Sequence, residues 1–217
     1  MTHSDQRSLR SNTLWRLTQV MGSGGFAALY VLIYTALLTK GEYGTYGAVV
    51  SVAGFLLLVA IFGMRQTLTR FVARARGAGE LGSVRAYIVT ALRLTGAFTA
   101  LVVIASWMCT PLLVRTFTGW TPWITLLVTF NVSARAFVQV LQGALEGSSR
   151  FRDVSLRAMT LDVLQLAGVG TLALSGMSLV RLLAVECVVQ TVGVLIFAHH
   201  VRAAVLASIS FDLVLAF

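Results

Sequence analysis

The sequence predicts an all-α integral membrane protein, a bundle of six transmembrane helices. Of the 217 residues, 57% are hydrophobic and 12% charged, and the mean hydropathy is +0.84, far from the balance of a water-soluble domain. The apolar residues fall into six runs, each long enough to cross a hydrocarbon core about 30 Å thick at about 1.5 Å per helical residue. The basic residues sit in the short segments between those runs, which leaves no room for a large extramembrane domain.

The first run, Leu14 to Leu38, follows a leader bearing Arg7, Arg10 and Arg16. Its length and the absence of a small-x-small cleavage site make it a retained anchor, with residues 1–13 as a cytoplasmic tail. The second run, Tyr46 to Phe62, ends at Gly63. Between it and the third, Tyr87 to Val114, lies Met64 to Arg85. That segment is either a topogenic loop or a short interfacial helix around Phe71-Val72-Ala73 with Arg70, Arg74 and Arg76 toward phosphates. The fourth run, Pro122 to Leu145, leads to a solvated connector with a turn at Gly147-Ser148-Ser149. Ala158 to Gly176 and Leu182 to Ala198 complete the bundle of residues 14–202. Residues 203–217 are apolar but short for a crossing.

Placing the N-terminus inside puts twelve basic residues in the inner segments and three, Lys40, Arg115 and Arg181, in the outer ones. That asymmetry predicts both termini in the cytoplasm. Trp107, Trp120, Trp123, Tyr43 and Tyr46 cluster toward the outer turns, where amphipathic rings anchor at headgroup level.

Enzyme chemistry finds no support. Lys40 is the only lysine and sits in Thr39-Lys40-Gly41, so no phosphate-binding loop of the ATPase kind is present. Gly22-Ser23-Gly24-Gly25 lies inside an apolar run and follows no strand; it serves helix packing or bending rather than a dinucleotide. Cys109 and Cys187 are isolated, and His3, His199 and His200 lack metal-ligand spacing, so neither a cofactor nor a metal is implied. An intramembrane serine protease would need a histidine deep in a facing helix, whereas His199 and His200 fall at a helix end.

Four charges remain inside the spans: Arg93, Arg135, Asp162 and Glu186. Each is costly there unless paired or facing water. Counted from the inner ends of their spans, Arg93, Asp162 and Arg135 lie at depths of about 10, 7 and 15 Å, close enough in height to meet. They form a buried ion pair or triad, with Arg93 free to snorkel, or at least one arginine faces a water-filled cavity and meets a phosphate. Glu186, nearer the outer surface and without an evident partner, faces that cavity or carries a proton.

The stretch Leu38-Thr39-Lys40-Gly41-Glu42-Tyr43-Gly44-Thr45-Tyr46-Gly47, then Phe62-Gly63-Met64 and Thr69-Arg70-Phe71-Val72-Ala73-Arg74, resembles the lipid-linked oligosaccharide and polysaccharide flippases of the multidrug/oligosaccharide-lipid/polysaccharide exporter superfamily. A second stretch, Leu141-Gln142-Gly143-Ala144-Leu145-Glu146-Gly147 with Arg150-Phe151-Arg152, resembles the corresponding loop. The resemblance implies one lobe of a two-lobe transporter fold, the N-terminal half, with 203–217 leading into a second six-helix lobe. It implies an inner-membrane flippase moving a polyprenyl-pyrophosphate-linked glycan by alternating access. Arg16, Arg93 and Arg135 would contact substrate, Asp162 and Glu186 would couple to an ion or pair structurally, and the partners would be the lipid-linked glycan, membrane lipids and a second lobe or second copy. A drug or small-molecule cation antiporter of the same fold and a non-transporting membrane scaffold stand as alternatives.

Overall fold

A computed structural model describes the backbone of residues 3–215, and the side chains of 14–203 apart from Arg16, Gln19 and Leu81. Among the described residues the regular structure is helical: α1 (His3–Leu37), α2 (Lys40–Ile61), α3 (Met64–Gly77), α4 (Leu81–Thr116), α5 (Pro122–Gly147), α6 (Phe151–Ser175) and α7 (Leu179–Leu215). Six segments are long and apolar enough to cross a membrane, consistent with a multi-pass membrane protein. Large apolar side chains such as Met21, Leu32, Met108 and Leu174 point outward, an arrangement suited to hydrocarbon rather than water.

Local chemistry sets the helix ends. Thr39-Lys40-Gly41-Glu42 forms a reciprocal cap in which the Glu42 amide donates to Thr39 Oγ1 at 3.3 Å and the Thr39 amide donates to Glu42 Oε2 at 3.2 Å. Thr121 caps α5 ahead of Pro122, whose missing N–H is harmless in a first turn. As expected, the second span stops at Gly63: Phe62 and Gly63 are both left-handed, at φ 40° and 74°, which turns the chain into α3.

Helix α5 is the axis. Helices α2, α3, α4, α6 and α7 pack against it, whereas α1 packs chiefly on α6. The turns around Thr45, Thr118 and Gly119 meet at one end of the bundle, and α3 meets the α5–α6 turn at the other.

Several boundaries differ from the sequence reading. Helix α1 begins at His3, ahead of the first apolar run, and α7 continues past residue 203 to Leu215. Met64 to Arg85 is a packed helix, α3, followed by a lengthened start to α4. Leu68, Val72 and Ala75 of α3 are buried because Gly143 and Gly147, one helical turn apart on α5, let the backbones touch. A Cβ at either glycine would come within 2.7 Å of the Arg65 or Thr69 carbonyl oxygen. Thr69 Oγ1 donates to the Gly143 carbonyl at 3.1 Å, and Arg65 pairs with Glu146 at 2.5 Å.

Two aromatics are not surface anchors. Trp120 is buried, its indole N–H donating to Thr125 Oγ1 at 3.0 Å; one polar partner lets the large apolar ring enter the core. Tyr46 packs edge-on against Tyr34 at 5.1 Å. Of the three glycines in the Gly22-Ser23-Gly24-Gly25 run, a Cβ would meet a neighbour only at Gly22, against Met159, while Gly24 and Gly25 have nothing within 4 Å.

Candidate functional site

One face of α5 carries Asn131, Arg135, Gln139 and Glu146 at spacings of four, four and seven residues, which stack on a helix of 3.6 residues per turn. The stripe covers about 22 Å along the axis, much of a hydrocarbon core about 30 Å thick. It lines two cavities in succession. The first, about 200 Å³, lies among α2, α5 and α7 and is lined by Tyr46, Asn131, Arg135, Leu183 and Glu186. The second, about 840 Å³, opens toward the α3 end and is lined by Arg65, Gln66, Thr69, Arg70, Gln139 and Glu146. Gly54 and Leu57 of α2 belong to both walls, and Gly54 has nothing within 4 Å of its missing Cβ. The cavities therefore adjoin at a neck that a glycine keeps wide.

The deep chamber holds opposite charges. Arg135 Nη2 lies 3.9 Å from Glu186 Oε2, with the arginine side chain 38% exposed and the glutamate side chain 9%. That separation is an ion pair but longer than a hydrogen bond. Asn131 is buried and its Nδ2 has no hydrogen-bond partner. The larger chamber carries two arginines against one glutamate, so its field attracts anions.

The expected meeting of Arg93, Arg135 and Asp162 does not occur. Arg93 is exposed on α4 and lines neither chamber. Asp162 turns to α1, where Ser23 Oγ donates to its Oδ2 at 2.8 Å and the Tyr30 hydroxyl donates to its carbonyl oxygen at 2.6 Å. Arg135 takes Glu186, the residue that had no evident partner. Depth along a helix fixes height but not azimuth, which advances about 100° per residue; α5 presents Arg135 toward α7. Arg16 belongs to α1, and its side chain lies outside the described residues.

Asn131, Gln139, Arg65 and Glu146 do not stand out as site residues in the sequence, and Arg70 reads there only as an interfacial contact to headgroup phosphates. The polar stripe at helical spacing inside an apolar span was the available signal, whereas Arg65 and Arg70 look like any basic loop until α3 docks them beside α5. No protein family, curated protein or solved structure matches this chain.

Proposed function

We propose that this chain is one six-helix lobe of a flippase that moves a polyprenyl-pyrophosphate-linked oligosaccharide or polysaccharide unit across the inner membrane by alternating access. The observation that supports it is the α5 stripe: a membrane-embedded guanidinium in a chamber that adjoins, across the Gly54 neck, a larger vestibule bearing Arg65 and Arg70. A sugar headgroup cannot cross hydrocarbon without a polar path, and guanidinium groups match phosphate geometry. On this reading the α3 end faces the cytoplasm, the vestibule receives the pyrophosphate, and a second lobe or second copy supplies the opposing wall, because two chambers of this size do not enclose a glycan. The rocking of two lobes around such a site is how membrane transporters expose it to each side in turn.

Reconstitution tests the proposal. Proteoliposomes carrying a fluorescent pyrophosphate-linked lipid should show protein-dependent loss of inner-leaflet signal when the second lobe or copy is present, and none from a verified monomer. Exchange of a lipophilic cation against protons, with no movement of the pyrophosphate lipid, would favour the antiporter instead.

A further inference from the structure

A third cavity continues the series along α5. At the end of the bundle opposite α3, a hollow of about 440 Å³ lies among the starts of α2, α5 and α7, with Thr39, Glu42, Thr121 and Ser178 at its rim. The same three helices wall the deep chamber, and on each of them the two linings are one turn apart: Thr45 and Val49, Ile124 and Val128, Leu179 and Leu183. All six residues are buried. A barrier about 6 Å thick, apolar but for Thr45, therefore separates the hollow from Arg135 and Glu186, and an apolar constriction of this kind keeps water out.

Two features of α2 set this barrier apart from ordinary core. Gly41, Gly44 and Gly47 fall in its first two turns, and a Cβ at any of them would meet nothing within 4 Å. No close approach requires these glycines, and glycine is a poor helix former, so this end of α2 is weakly held by its own backbone. Polar contacts at the tip hold it instead. Glu42 Oε2 accepts from the Thr39 hydroxyl at 2.8 Å and the Thr39 amide at 3.2 Å, and the same carboxylate accepts from the Leu179 amide at the start of α7. The Thr45 hydroxyl donates to the Thr118 carbonyl at 2.8 Å. Below these contacts α2 and α7 touch each other far less than either touches α5.

We propose that the first two turns of α2 are a gate and that Glu42, bonded to the starts of both α2 and α7, is its latch. Release of the latch opens a slot among α2, α5 and α7 through which water and small hydrated ions reach the Arg135–Glu186 pair from the Lys40 end. The gate lies inside one lobe and is separate from the rocking of two lobes. It rests on the chamber, the hollow and the barrier between them, and stands whether or not the chain moves a lipid.

The test uses the full chain in sealed vesicles, carrying Cys109→Ser and Cys187→Ser, with a membrane-impermeant cationic thiol reagent added to one face at a time. Ser178→Cys, in the hollow, marks the Lys40 face, and Ala53→Cys reports the deep chamber. From the Lys40 face Ala53→Cys should react about tenfold more slowly than Ser178→Cys, or slower still. Adding Glu42→Ala, or Glu42→Gln if the alanine variant does not fold, should speed that reaction about fivefold or more by raising the open population. Leu183→Ala, which thins the barrier, should do the same, and the rate from the opposite face should stay as it was. Gly44→Ala with Gly47→Ala should slow the reaction from the Lys40 face and raise Tm. Equal rates at Ser178→Cys and Ala53→Cys from the Lys40 face overturn the proposal, since no barrier then exists. A rate at Ala53→Cys indifferent to both the Glu42 and the Leu183 variants overturns it as well, and so does a rise from both faces with a falling Tm, which marks loosening of the whole bundle. None of these readouts depends on lipid flipping, so the gate and the flippase reading fail separately.

Discussion

Arg135 on α5 and Glu186 on α7 approach to 3.9 Å across a chamber they both line. The pair joins the two helices that share the most extensive contact in the bundle, and it places both charges within reach of whatever enters from the vestibule. Removing one partner leaves the other unpaired in a low-dielectric interior. Arg135→Met or Glu186→Leu alone should therefore lower stability by roughly 2 kcal/mol, below the value for a fully buried pair because the arginine is partly solvated. The double variant should regain most of that loss in a thermal melt in detergent. If it also transports, Arg135 has no part in substrate handling.

The docking of α3 rests on two glycines. A methyl group at Gly143 or Gly147 would meet backbone rather than a flexible side-chain tip, so the helices must separate. Gly143→Ala and Gly147→Ala should each cost about 1–3 kcal/mol, and trypsin should cleave after Arg74 or Arg76 faster than in the parent chain. Unchanged cleavage and Tm would show that α3 is held by something other than this close approach.

Asp162 is expected to hold α1 on α6 rather than to couple an ion, because its carboxylate already accepts from Ser23. Asp162→Asn keeps an acceptor for that hydroxyl. Transport driven by an ion gradient should keep its ion dependence in this variant, while Ser23→Ala lowers Tm by an amount matching about 1 kcal/mol. Loss of ion dependence in Asp162→Asn would return Asp162 to the coupling machinery.

Gly54 marks the neck between the two chambers. A Cβ there has nothing within 4 Å and the position borders both chambers, so Gly54→Leu should leave Tm unchanged or slightly raised, since glycine inside a helix costs about 1 kcal/mol relative to better helix formers. Transport should fall at least tenfold. Normal transport with the neck filled would show that substrate does not pass between the chambers.

Orientation is tested separately. Reporter fusions after Arg76 and Arg202 should score cytoplasmic, and a fusion near Thr118 should score external. A cytoplasmic signal at Thr118 would reverse the proposed direction of the vestibule.

That the chain is helical, that it has six apolar segments long enough to span a membrane, and that the second ends at Gly63 can all be read along the sequence. These follow from quantities local to the chain: run length, hydropathy and a glycine able to adopt positive φ. Even the cap at Thr39 and Glu42 was there to be read, three residues apart. Which charges share a chamber depends instead on how the helices pack. Arg135 and Asp162 lie at compatible depths, yet Arg135 meets Glu186 and Asp162 meets Ser23, because the rotation of each helix about its axis is set by packing. That packing depends on Gly143 and Gly147 accepting α3 and on α7 lying along α5. Hydropathy is nearly blind to it, since lipid and a neighbouring helix are both apolar surroundings, and a side chain facing either one reads the same in the sequence.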